Sequence, residues 1–164
     1  MMVDLKKLFF SEISEEKLQD EFCYSDVTLN SVNPFKTPVK VKAHFKSDAG
    51  SVKLALRIDY SLCVPCDRCF EEMYIADNLF SEHILKQVLR DEEDDSILAA
   101  DCQLDIKELV YTDIMLSLPT KLLCKEDCRG LCHTCGRNLN ESSCDCGADT
   151  VDPRLAVLRQ LLEN

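Results

Sequence analysis

Apolar and polar residues alternate with a period of two over residues 38–46. Val39, Val41, Ala43 and Phe45 fall on one side, Lys40, Lys42, His44 and Lys46 on the other. Residues 47–50, Ser-Asp-Ala-Gly, form a turn signal. The alternation then resumes, with Val52, Leu54, Leu56, Ile58 and Tyr60 against Ser51, Lys53, Ala55, Arg57 and Asp59. Period two on both sides of a short turn predicts an antiparallel hairpin with one buried face. A four-residue turn would set Lys46 opposite Ser51, His44 opposite Lys53, Lys42 opposite Ala55 and Lys40 opposite Arg57.

Elsewhere the pattern is weaker. Residues 72–86 begin as a third strand and continue as apolar structure of open type. Residues 5–10 fit a short strand or a helical turn, and residues 26–32 a strand. At 105–117 the pattern turns helical: Asp105 caps, Glu108 follows three residues on, and Ile106, Leu109, Val110, Ile114 and Leu116 supply apolar positions before Pro119 ends the helix. Asp152 as cap, Pro153 at the first helical position and Leu155, Leu158, Leu161 and Leu162 on one face predict a second short amphipathic helix.

Charge and composition narrow the classes. The 164 residues suffice for one globular core. No apolar run reaches membrane-spanning length, and residues 8–10 are too short for the apolar core of a secretion signal. A cytoplasmic protein is therefore expected. Net charge is −11, from 30 acidic and 19 basic residues, which argues against nonspecific nucleic-acid binding by the chain as a whole but leaves room for a local basic face. The acidic run at 91–95 self-repels and reads as a solvated loop.

Eleven cysteines change the picture most. In a reducing compartment such clusters point to metal more often than to disulfides. Cys132-His-Thr-Cys135 is followed by Gly136, which lets the backbone curl so that amides can donate to sulfur. Cys144 and Cys146 supply two more thiolates, and Asn138 and Asn140 form turns between the pairs. Cys66 and Cys69, just after the hairpin, pair in the same way with Cys124 and Cys128. The arithmetic closes as two tetrahedral zinc sites of four thiolates each, one of them joining the sheet region to the C-terminal segment. Cys63 is a spare that competes with Cys66, while Cys23 and Cys102 read as ordinary buried thiols. All-thiolate sets without an open position or nearby general base imply structural metal, whose loss should unfold roughly the last 40 residues. His133 is expected to be exposed and not coordinating.

The fold class expected is α+β: an antiparallel hairpin or meander sheet packed with a few short helices, plus a C-terminal zinc-knuckle segment. Residues 1–118 form the sheet domain, with an acidic loop at 90–101 and a helix at 105–117. Residues 119–164 form the Cys-rich segment and terminal helix, packed on the first part as one unit.

Cations facing cations across the hairpin are mildly destabilising. The face is either solvated surface, neutralised by the acids at 91–95, or an RNA-backbone platform with Lys40, Lys42, His44, Lys46, Lys53 and Arg57 as contacts. It lacks aromatic residues for base stacking, so sequence readout there is not expected. A second basic group, Lys121, Lys125, Arg129, His133 and Arg137, balances thiolate charge or reaches phosphate; Arg129 and Arg137 are the RNA candidates in it.

Cys66-Asp-Arg-Cys69 after a hairpin, Leu118-Pro119 closing a helix, Cys124-x3-Cys128-Arg-Gly-Leu-Cys132-x2-Cys135-Gly-x-Asn-Leu-Asn140, Cys144-x-Cys146 and Asp152-Pro153-Arg154 together resemble the YceD family, called large ribosomal RNA subunit accumulation protein. The resemblance implies a bacterial, cytoplasmic, non-enzymatic factor for large-subunit biogenesis. Such a factor would support 23S rRNA accumulation or processing by binding precursor rRNA, a large-subunit ribosomal protein, or both. It implies no membrane and no small-molecule substrate. An alternative from another class is a zinc-stabilised protein-interaction or redox-sensing module unrelated to RNA. No nucleophile motif, phosphate loop or two-metal carboxylate set supports an enzyme.

Overall fold

The computed structural model describes residues 1–29, 32–88 and 94–146. The helix expected at 153–162 and residues 91–93 of the acidic run lie outside them. The chain divides into two compact units: Met1–Val64 with Glu72–Leu122, and Pro65–Glu71 with Leu123–Asn164.

The first unit is built on a five-stranded sheet in the order β2-β3-β4-β5-β6. The strands are β2 (Glu15–Phe22), β3 (Val39–Asp48), β4 (Ser51–Pro65), β5 (Glu72–Lys86) and β6 (Ile97–Leu98). A two-stranded sheet pairs β1 (Met2–Asp4) antiparallel with β7 (Gln103–Asp105). Two helices complete the unit, α1 (Lys6–Phe9) and α2 (Ile106–Ser117). The α+β expectation holds for the described residues, with one difference: β6 pairs parallel to β5, so the sheet is mixed.

The alternation read from the sequence is the alternation observed. Val39, Val41, Phe45, Val52, Leu54, Leu56 and Ile58 are fully buried on one face of β3 and β4. Leu5, Leu8, Leu85, Ile106, Val110 and Ile114 join the same core, with α1 against β3 and α2 against β1 and β5. Removing one such large aliphatic side chain costs about 2–5 kcal/mol.

The register differs from expectation. The turn has two residues, Ala49 and Gly50, with φ of 45° and 89°. Asp48 then pairs with Ser51, Lys46 with Lys53, His44 with Ala55, Lys42 with Arg57 and Lys40 with Asp59. Two left-handed residues twist the chain in the sense that a two-residue hairpin requires, which is why the tighter turn wins.

The three uncertain segments also resolve. Residues 72–86 are one continuous strand, and residues 5–10 contain the helical turn α1. Among the described residues of 26–32, the pairing is an isolated bridge between Leu29 and Val32. A strand that the apolar pattern does not mark, β2, pairs with β3 along its whole length.

Asp105 caps α2, its Oδ1 accepting from the amides of Lys107 (3.0 Å) and Glu108 (3.4 Å). Such a cap contributes about 1 kcal/mol. Leu116, expected on the apolar face, is exposed, while Asp113 is buried. Asp113 Oδ2 accepts from Ser81 Oγ (2.6 Å) and His83 Nε2 (2.8 Å), so a hydrogen-bonded carboxylate fastens the helix to β5. Tyr24 packs on Phe35 and Tyr111, and its hydroxyl donates to the Lys107 carbonyl at 2.7 Å. Burial raises its pKa, so the phenol stays neutral. Cys102 is buried as expected, but Cys23 is exposed.

Gly50 meets nothing within 4 Å of where a Cβ would stand, so its requirement is conformational alone. Gly50→Ala is expected to destabilise the first unit by about 1–2 kcal/mol. Urea unfolding monitored by circular dichroism checks this; an unchanged midpoint and slope would refute the turn assignment.

Candidate metal centres

The second unit takes its shape from two short loops and a thiol-rich segment. In each loop a Cys-x-x-Cys pair closes on itself: the Phe70 amide donates to the Cys66 carbonyl (3.0 Å), and the Gly136 amide to the Cys132 carbonyl (2.8 Å). The residue after the second cysteine is left-handed in both, with φ of 61° at Phe70 and 71° at Gly136. Glycine accepts that conformation without penalty and phenylalanine does not, so the first loop holds strain that the second avoids.

The eight predicted thiols gather into two groups of four: Cys66, Cys69, Cys124 and Cys128, then Cys132, Cys135, Cys144 and Cys146. Within each group the sulfurs lie within 4.8 Å of one another. Cys66 Sγ stands 3.8 Å from Cys128 Sγ, and Cys69 Sγ 3.6 Å from Cys124 Sγ. Disulfide sulfurs lie at about 2.05 Å, so these are not bonded. Four thiolates at about 2.3 Å from a tetrahedral ion stand about 3.8 Å apart, and the observed spacing fits that shell. The two clusters can therefore hold metal ions. Cys63 is buried but belongs to neither cluster, which leaves Cys66 as the member of the first.

The electrostatics show what the clusters lack. Burial opposes ionisation of Cys66, but the amides of Arg68, Cys69 and Cys124 donate to its sulfur and bring it to about 6. The Glu71 amide favours a thiolate at Cys69, yet burial and its neighbouring thiols outweigh it and push that group up to about 12. In the second cluster the amides of Cys135 and Thr134 hold Cys132 at about 6. Cys146 is pushed up to about 12 by its hydrogen bond to Cys135, burial and the charge of the neighbouring thiols. Cys66 and Cys132 are thus ready thiolates. Although burial opposes it, Cys128 is lowered as well by donors from Asn140 and Gly130, and the neighbouring thiols penalise ionisation of Cys69 and Cys146. A divalent cation at the centre reverses that penalty and favours four thiolates.

Residues that spacing alone did not identify hold the first cluster in place. Arg68 donates through Nη1 to the Cys128 carbonyl (2.6 Å) and through its amide to Cys66 Sγ (3.5 Å), and its own carbonyl accepts from Leu131 (3.2 Å). Gly130 passes so close beneath that a Cβ there would lie 2.9 Å from this carbonyl oxygen. Asn140, read as a turn former, does more. Its Nδ2 donates to Cys128 Sγ (3.3 Å), and its Oδ1 accepts from the Arg129 amide (2.9 Å). Asn138 Oδ1 accepts from the Asn140 amide (3.0 Å), fixing the turn. Asn140 lies between Cys135 and Cys144, so one side chain couples the turn of the second cluster to a sulfur of the first. His133 is exposed, as expected.

The cationic residues fall elsewhere. Lys40, Lys42, Lys46, Lys53 and Arg57 are exposed and His44 is half-buried, all on the outward side of β3 and β4 in the first unit. Their partial neutralisation comes from β2 and the turn, through Glu15–His44 (3.2 Å), Glu21–Lys40 (4.0 Å) and Asp48–Lys53 (2.7 Å). Of the acidic run, Asp94 instead pairs with Lys86 at 2.9 Å. The expectation of no aromatic residue holds for the outward positions of β3 and β4 but fails for β5, where Tyr74 and Phe80 are exposed. Arg129 and Arg137 are exposed in the second unit, and Arg137 Nη1 donates to the Ser143 carbonyl (3.1 Å).

Asn140→Ala is expected to weaken metal binding at the first cluster roughly 10–100-fold, the usual effect of losing a hydrogen bond to a ligand. Competition with a chromophoric chelator measures it; unchanged affinity would remove Asn140 from the site.

The family model described as Large ribosomal RNA subunit accumulation protein YceD matches residues 54–162, a stretch that contains both clusters. Among curated proteins, the Arabidopsis thaliana protein named Large ribosomal RNA subunit accumulation protein YCED homolog 1, chloroplastic, is 35% identical over 61 residues, which is 37% of this chain and 19% of that protein. The Zea mays protein of the same name is 45% identical over 49 residues, 29% of this chain and 17% of that protein. The chain thus spans less than a fifth of the length of these curated relatives. No solved structure matches it.

Proposed function

The chain belongs to the YceD family of large ribosomal RNA subunit accumulation proteins, and on that premise we propose that it is a non-enzymatic factor for biogenesis of the large ribosomal subunit. In this reading it acts in the bacterial cytoplasm on 23S rRNA accumulation or processing. It does so by binding precursor rRNA, a large-subunit ribosomal protein, or both, and each cysteine cluster holds one structural zinc ion. The observation that carries the reading is the pair of all-cysteine clusters inside the family-matched stretch.

Donor chemistry supports a structural role for the metal. Soft thiolates in tetrahedral sets of four select zinc or iron–sulfur chemistry, and zinc among them performs no redox step. A catalytic zinc keeps a position for water, whereas four sulfurs close the shell. Among the described residues, the groups of three or more potential ligands are these two cysteine sets. No helix among the described residues is long and apolar enough to cross a membrane. The outward cations of β3 and β4, only partly neutralised, offer phosphate contacts on an otherwise acidic chain. The excess acidic charge elsewhere would limit nonspecific RNA association and favour a basic ribosomal protein as second partner.

Elemental analysis of purified protein is expected to give about two zinc ions per chain, falling by about one in Cys128→Ser and in Cys146→Ser. In cells, crosslinking followed by RNA sequencing should enrich precursor large-subunit RNA, and removal of the gene should lower mature large-subunit rRNA. Normal ribosome profiles without the protein would refute the functional reading. Thiol oxidation that ejects zinc and changes partners while rRNA stays normal would favour the interaction-module alternative.

A further inference from the structure

The outward face of the five-stranded sheet carries aromatic surface beside its charge. Even-numbered residues of β5 point outward, and Tyr74, Phe80 and Ile84 are 77%, 60% and 44% exposed. Phe80 lines a groove across the face together with Lys17 of β2, Lys42 of β3 and Arg57 of β4. A second groove shares His44 and Ala55 with the first and continues to Lys46, Lys53 and Ile84. Lys42 and Arg57 are direct cross-strand partners. Among the described residues, neither they nor Lys17 has a carboxylate within ion-pair distance. Two cations face each other with a third nearby, and an uncovered ring lies alongside.

Like charges directly across a strand pair destabilise a sheet, and an anion bound between them removes that cost. An acidic peptide would neutralise the cations but has no general reason to cover Phe80. A duplex would bring phosphates, but its bases are stacked on each other and cannot take the ring. A single strand supplies a row of phosphates and free base faces together, and base-on-aromatic stacking is indifferent to sequence. We propose that this face binds a single-stranded segment of RNA, with a base stacked on Phe80 and neighbouring phosphates held by Lys17, Lys42 and Arg57. The inference rests on the RNA-binding part of the functional reading and deepens it. The strand would be recognised by its backbone and by having an unpaired base, which suits segments of precursor RNA not yet folded.

The test uses the full zinc-loaded chain and a labelled single-stranded oligouridine of about 12 nucleotides, read by fluorescence anisotropy over a range of salt. Phe80→Val keeps a strand-forming residue without a π face and is expected to lower affinity roughly tenfold, with the salt dependence unchanged. Lys42→Gln with Arg57→Gln should weaken binding and flatten the salt slope by roughly 0.7 for each phosphate no longer held. Phe10→Val, which removes an exposed aromatic at the end of α1, should change nothing. A 5-iodouridine strand irradiated on the wild-type chain should crosslink at Phe80, a readout that does not depend on a variant folding. Wild-type affinity in Phe80→Val, tighter binding of a matched duplex, or crosslinks only outside this face would overturn the inference while leaving RNA binding by the protein in place. Failure of the wild-type chain to bind any RNA at low salt would overturn it too, and would confine the functional reading to a ribosomal-protein partner.

Discussion

Four thiols brought within 4.8 Å of one another cannot all ionise until something positive sits among them. That constraint governs the second unit. Backbone amides lower one thiol in each cluster to about 6, and the same proximity drives another to about 12. The protein supplies the geometry and the first charge; a divalent ion at the centre would supply the rest. If the clusters hold metal as proposed, folding of this part of the chain and metal binding are coupled, because the ligands are distant in sequence. Cys66 and Cys128 are 62 residues apart and Cys69 and Cys124 are 55 apart. An ion held at the first site would close a loop of that length.

The first unit needs no such aid. Its core is continuous, and Asp113, the one buried acid among the described residues, is satisfied by two donors. The burden falls on its outward face. β3 and β4 bury one side, and over residues 40–59 many of the residues on the other side are Lys or Arg. Acids on β2 and at the turn answer some of them, leaving Lys42 opposite Arg57. A sheet selected for stability alone would alternate charge there. The division of labour is thus physical: one unit is held by apolar burial and presents charge and an aromatic ring, while the other gathers eight thiols into two sets that could hold metal ions.

How much was legible depends on how local each cause was. Strict alternation revealed β3 and β4 because one face is buried, and Asp105 revealed the start of α2 because capping acts within one turn. The cysteine sets followed from pair spacing, since a Cys-x-x-Cys loop closes on itself. The register failed by one choice of turn: in Ser47-Asp-Ala-Gly50 only Gly50 suits the left-handed backbone that a two-residue closure needs at both positions, and Ala49 adopts it against its own preference. β2 escaped because it is polar on both faces apart from Leu18 and Phe22, too few to show a period, and it is a strand only because β3 offers it an open edge. Leu116 misled because helical periodicity marks a face but not where the neighbouring elements end. Asn140 and Phe80 were out of reach for the same reason. The neighbours that give each its meaning, Cys128 in one case and Lys42 and Arg57 in the other, lie beyond the reach of local pattern, 12 residues away for Asn140 and on other strands for Phe80.

The central claim is that each cluster is a closed shell of four sulfurs around one ion. X-ray absorption at the zinc edge of the purified chain tests it most directly. The account predicts about four sulfur neighbours per zinc at about 2.3 Å and no nitrogen or oxygen in the shell. A shell with nitrogen, oxygen or an exchangeable water, or iron in place of zinc, would contradict it.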